Sequence, residues 1–216
     1  MKILTRAGGL LLAALLTMAG CAPAHPPKTI DKPMTERELA TRLLHKMDQQ
    51  LSRKSYPFTL IIGDNRFEGQ QSGLDWSLES VDQEKDATVR IVKKGEHIEV
   101  TRGKQKEKLT SRQFGLVSPR DYLQLIKSDM KRVERVSTAD QGTEEVEAVL
   151  SAERIGNRLG HWMGGPFQKG AAQQASRKFQ IRARFQYDTE QEGFNRLIIR
   201  IDPKDGEESE SVEYRF

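Results

Sequence analysis

Apolar residues recur every four positions at Leu39, Leu43, Met47 and Leu51, the spacing that lays one stripe along a helix. Thr35 and Glu38 precede the stripe at capping-box spacing, so the pattern predicts an amphipathic helix over residues 35–54. Ala40 and Leu44 widen its apolar face. Arg37, Lys46, Asp48 and Arg53 are expected to face water, and His45 to sit beside the stripe. Such a helix either covers one side of a sheet, the plainer reading, or serves as a lid or partner helix.

From Tyr56 the period shortens to two. Phe58, Leu60 and Ile62 alternate with polar residues, then Leu74, Trp76 and Leu78, then Val89 and Ile91, then Ile98 and Val100. Four half-buried strands follow from this, with turn-compatible connections at 63–65, 70–73, 82–86 and 93–96. Connections so short imply antiparallel neighbours, because a parallel crossover needs about a dozen residues. A charged fifth strand at 105–109 suits a sheet edge, where lysines discourage pairing with another chain. Ser118, Pro119 and Asp121 then read as the start of a helix reaching about Asp129, with Tyr122, Leu125 and Ile126 inward. Two more alternating stretches occupy 132–137 and 144–150. Residues 152–163 look helical, closing at Gly164-Gly165-Pro166, and 169–177 are a smaller helical candidate. The strongest alternation follows, Phe179, Ile181, Ala183, Phe185 and Tyr187 against Gln180, Arg182, Arg184 and Gln186. A loop at 189–193 leads into a strand over 194–201, and 211–216 supply a last one.

The amino terminus has a different grammar. Lys2 and Arg6 flank an uncharged run of Gly, Leu and Ala from Ala7 to Met18, ending in small residues. As a helix that run reaches about 18 Å, short of the ~30 Å hydrocarbon core. Met18-Ala19-Gly20-Cys21 resembles the bacterial lipoprotein lipobox, in which cleavage between Gly20 and Cys21 leaves Cys21 as a diacylglycerol-bearing first residue. The plainer reading of Cys21 is an incidental cysteine after an ordinary secretory signal. Prolines at 23, 26 and 27 then favour an extended spacer, in which His25 is a solvated linker residue. The implied organisation is a signal peptide over 1–20, a lipidated Cys and Pro-rich spacer over 21–34, and one domain over 35–216.

Charge narrows the partners. Removing Lys2 and Arg6 leaves 33 basic against 31 acidic residues, too even a balance for nucleic-acid binding. One cysteine excludes an internal disulfide and any Cys-rich metal site. His97 falls on the outward side of its strand and His161 adjoins Trp162, neither with a paired ligand at metal spacing. No nucleophile elbow, phosphate loop or zincin helix is present, and the carboxylates are spread over polar faces and turns. The expectation is a non-catalytic protein with no cofactor and no metal. Arg182, Arg184, Arg200 and Lys178 form a basic stripe if their strands adjoin, usable by a phospholipid headgroup or an acidic partner; the alternative is a sheet face kept in water by alternating charge.

Phe58, Trp76, Trp162, Phe167, Phe179 and Phe185 are the large side chains from which either a packed core or a hollow apolar cavity can be built. Sequence alone leaves both open. The order of elements resembles the LolA/LppX-like lipoprotein-carrier superfamily, over about residues 35–216. That resemblance implies an α+β fold: a curved antiparallel sheet or unclosed half-barrel, with the amphipathic helix and further short helices on its concave face. It also implies an extracytoplasmic protein, anchored to the membrane through lipid on Cys21, that binds a lipid or other hydrophobic ligand. Phe58, Trp76, Trp162, Phe179 and Phe185 are then the cavity candidates. The rival expectation is an envelope regulator or assembly factor that binds a protein partner.

Overall fold

The computed structural model describes residues 34–81, 88–110, 118–137, 142–155, 177–206 and 208–216. The readings of the signal peptide, Cys21, most of the spacer, the connection at 82–86, and the segment holding His161, Trp162 and Phe167 lie outside these residues.

Helix α1 spans Glu36–Ser52 and starts at the capping box. The Glu38 N–H donates to Thr35 Oγ1 at 3.3 Å while the Thr35 N–H donates to Glu38 Oε2 at 2.7 Å, satisfying two amides that the first turn leaves free. Leu39, Leu43 and Met47 are buried, as the four-residue spacing predicts. Lys46 departs from expectation. It is buried rather than water-facing, its stem running along apolar surface while its ammonium donates to the backbone carbonyls of Asp188, at 3.0 Å, and Gln191. The second helix, α2, spans Pro119–Asp129, with a capping box between Ser118 and Asp121 and proline at its start. Leu123, Leu125 and Ile126 are buried and Tyr122 is half-buried. An Asp48–Lys127 ion pair and a 2.6 Å bond from Arg120 Nη1 to the Leu51 carbonyl join the two helices.

Eleven antiparallel strands make one open sheet. Six form a first meander: β1 Ser55–Ile62, β2 Asn65–Ser72, β3 Asp75–Ser80, β4 Val89–Lys94, β5 His97–Arg102 and β6 Gln105–Thr110. Five form a second: β7 Met130–Ser137, β8 Thr143–Leu150, β9 Phe179–Asp188, β10 Arg196–Pro203 and β11 Glu210–Arg215. The meanders join where β1 pairs β11, with Leu60 opposite Tyr214, and this leaves β6 and β7 as the two edges. The charged strand at 105–109 is thus an edge, as its lysines suggest.

Strand β2 is the element that hydrophobic alternation does not reveal, since its sequence is almost wholly polar. It is zipped to β1 across the Gly63-Asp64 turn, from Ile62 opposite Asn65 to Ser55 opposite Ser72, so pairing carries it where its own side chains do not. Gly69 lies opposite Phe58 on this pair; a Cβ there would strike the Phe58 ring and come within 2.8 Å of Leu78 Cδ2. Leu74, read as the start of an inward face, sits in the next turn and is 68% exposed. Val136 on β7 is also exposed, whereas Val133 and Val146 point into the core.

One face of the sheet carries the apolar side chains and both helices pack on it. Across that face α1 is held by Glu144 of β8, which is buried and accepts from Tyr187 Oη at 2.8 Å and Arg42 Nη1 at 3.1 Å and pairs with Arg135. Burial pushes this carboxyl up, but the bonds from Tyr187, Arg42 and Arg135 hold it net below the ordinary carboxylate range. Three elements, α1, β7 and β9, therefore converge on one buried acid.

Candidate functional site

The inward residues of the central strands change size along their length. Toward one end, under α1, they are aromatic: Tyr56 and Phe58 on β1, Phe185 and Tyr187 on β9, Tyr214 on β11, with Phe194 from the β9–β10 connection 4.9 Å from Phe185. Toward the other end the same strands carry Ile62, Ile181, Ile199, Ile201 and Val212. Ile201 lies opposite Ile181, and Ile199 is flanked by Ala183 on one side and Val212 on the other. Aromatic rings fill the space beneath α1. Aliphatic side chains of smaller reach leave a hollow.

That hollow has a volume of about 510 Å³, within the ~300–1,000 Å³ of small-ligand sites. Its floor is the isoleucine end of β1, β9, β10 and β11, and its roof is Tyr122, Leu125 and Ile126 of α2. Leu150 and Ile155 close one side, while Ser209, Glu210 and Ser211 give it a polar rim. Roof and floor follow from local grammar: the Ser118 cap fixes where α2 begins, hence which residues it turns down, and the two-residue strand period sets the isoleucines inward. Burial pushes the Tyr122 phenol up, so that lining group is neutral across the ordinary pH range. Of the described lining residues only Glu210, on the rim, carries charge. The arrangement offers shape and dispersion contacts to an apolar guest, with its charged and hydroxyl-bearing groups at the mouth apart from the neutral Tyr122 phenol of the roof.

Phe58, Trp76 and Phe185 are buried together in the packed core, Phe58 with its ring 6.0 Å from that of Tyr214. Phe179 is 36% exposed at the start of β9, and Trp162 lies outside the described residues. None of the four described aromatics lines the hollow. The groups that do line it were legible in the sequence only as ordinary inward positions. The available signal was the step from aromatic to β-branched residues along the inward rows of β1, β9 and β11.

The basic stripe is present in register but not in charge. Arg200 lies opposite Arg182, as adjacency of β9 and β10 requires, yet Arg182 pairs with Glu147 at 3.3 Å and with Asp202, and Arg184 pairs with Glu147 at 3.0 Å. Arg200 pairs with Asp202 at 3.1 Å and Arg196 with Glu213 at 2.7 Å. This outer face is a neutralised lattice of alternating charge.

Neither a protein-family model nor a curated protein matches the chain. Among solved structures, the chain is similar to the lipoprotein LppX of Mycobacterium tuberculosis, at 11% identity over 84% of this chain and 94% of that one, with a TM-score of 0.52. It also aligns with LprF from Mycobacterium bovis, at 11% identity over 83% and 91% of the two chains and a TM-score of 0.49. At these identities the likeness is one of fold: the large, unclosed antiparallel sheet with a few helices is shared with LppX.

Proposed function

We propose that this chain is a membrane-anchored, extracytoplasmic lipoprotein whose body, residues 35–216, holds a lipid or similar hydrophobic ligand in the hollow between α2 and the sheet. The observation that carries the reading is the hollow itself, lined by aliphatic side chains on its floor, by Leu125, Ile126 and the neutral Tyr122 on its roof, and charged only at its rim. Each ligand methylene removed from water there contributes about 0.8 kcal/mol, so an acyl chain needs no specific polar contact to bind. The rim then meets the polar end of such a molecule. The lipobox at 18–21 and the proline spacer supply the anchor, and the likeness in fold to a protein described as a lipoprotein agrees with that placement. No step in this reading is catalytic. Of the rival reading, protein binding through an exposed edge or the basic face, the basic-face form loses support because the Arg182 and Arg184 guanidinium groups are both engaged by Glu147.

The test is organic extraction and native mass spectrometry of the soluble form, residues 22–216, with titration by a fluorescent fatty acid. A bound lipid, displaced by the probe, is the expected result. Ile201→Asp sets a carboxylate beside Ile181 in the hollow and is expected to weaken probe binding roughly tenfold or more, because a buried charge without a partner is costly. An empty extract with no probe binding, or equal binding by the variant, would overturn the assignment.

A further inference from the structure

The sheet's outer face differs sharply between its two meanders. On β8 to β11 each outward arginine has a carboxylate within an ion-pair distance: Arg182, Arg184, Arg196, Arg200 and Arg215 all pair with Glu145, Glu147, Asp202 or Glu213. On β4 to β6 the outward charged side chains are Arg90, Lys94, Lys106 and Lys108, all exposed, with His97, Val92 and Thr101 among them, and the acid on that face of these strands is Glu99, which Lys106 engages at 3.1 Å. Among the described residues Arg90, Lys94 and Lys108 make no ion pair with a carboxylate. Glu68 and Glu79 border this cationic strip on the β2–β3 side and confine it to the last three strands.

The strip also has a shape. The outer face of β3 to β6 is hollowed by about 800 Å³, and Arg90, Lys94, Lys106 and Lys108 stand around the depression with Ser77, Val92, His97, Glu99 and Thr101 between them. A solvated sheet face needs only alternating charge, which the second meander shows. Glu79 lies opposite Arg90 and Glu99 opposite Lys108, yet cations outnumber acids on the outer side of β4 to β6, and like charges in surplus along a sheet edge repel one another, at a cost recovered when an anion sits among them.

We propose that this cationic hollow is a docking surface for the anionic phospholipid headgroups of the membrane on which the protein resides. The charge is of the right sign, lysine and arginine are the groups that bind anionic headgroups, and each contributes roughly a fivefold gain in partition near such a surface. Contacts of this kind set orientation. With the β4–β6 edge against the headgroups, the body is held in one attitude to the bilayer. The inference concerns a surface separate from the apolar hollow and needs neither a bound ligand nor the acyl anchor.

Sedimentation of the soluble form, residues 22–216, with vesicles of phosphatidylglycerol in phosphatidylcholine, compared with phosphatidylcholine alone, tests it free of the anchor. Binding to the anionic vesicles only, weakened by added salt, is expected. Lys94→Gln with Lys108→Gln should lower that partition by roughly 25-fold, with unchanged circular dichroism and melting because both side chains are exposed. Lys131→Gln, an exposed lysine on the opposite sheet edge, should leave partition within about twofold. Equal sedimentation with neutral vesicles, no sedimentation with either, or equal loss in the Lys131 variant would overturn the proposal. None of these outcomes bears on whether a lipid occupies the interior.

Discussion

A missing side chain can be as constraining as a large one, and Gly69 shows how. Its backbone is ordinary extended strand, so what demands glycine is the Phe58 ring lying across it, with Leu78 on the far side. Gly69→Ala must move one of two buried neighbours, and overpacking of this kind costs about 1–3 kcal/mol. Urea unfolding is expected to show that loss; a change of only a few tenths would mean the Phe58 ring can swing clear. Gly193 is bound twice over, since its φ of +85° disfavours any side chain and Gln50 Oε1 already fills the Cβ position. At the same scale the size of inward residues decides where the molecule is solid and where it is hollow.

Among elements, α1 is fixed by charge as much as by its apolar stripe. Arg42 reaches Glu144 and Lys46 reaches the β9–β10 connection, so the helix is tied to the sheet at two points along its length. Because the folded-state Glu144 carboxyl lies below its unfolded value of about 4.3, its contribution is fully present above that value and is lost as pH falls through the folded one. Glu144→Gln is expected to cost about 1–3 kcal/mol at neutral pH and to flatten the acid limb of stability, read by urea unfolding across neutral and acid buffers. Equal acid sensitivity in both proteins would show that other groups govern that limb. Both helix starts, the alternating strands and the charged edge were legible because each is set by local chemistry: a cap, a period of two, a run of lysines. Strand β2 was not, since its place comes from its partner, and Lys46 was not, because its acceptors are carbonyls far along the chain. The isoleucine floor had the pattern of any core face; the step from aromatic to β-branched residues marks a change of side-chain size, and the hollow beneath α2 shows that the floor is left unfilled.

For the molecule as a whole, the proposal that residues 1–20 are a signal and 21–34 an acylated spacer makes Cys21 the point on which localisation turns. One acyl chain alone holds a protein to a bilayer weakly, and two hold it firmly. Cys21→Ser is expected to abolish acylation and to release the protein from membranes or stall its precursor, as judged by fractionation and intact mass. A wild-type protein without acyl mass, retained on membranes as well as the variant, would contradict this. The way β1 meets β11 has a consequence for how the body is made. The first meander is a string of neighbouring hairpins, whereas β8 and β9 pair across residues 151–178 and Leu60 meets Tyr214 across a far longer stretch, so loop-closure entropy makes the β1–β11 seam the costliest to close. Until it closes the two half-sheets expose bare seams and greasy faces to any passing chaperone. For the exported protein proposed above, that delay is an advantage, because the chain stays threadable until its final seam can be stitched.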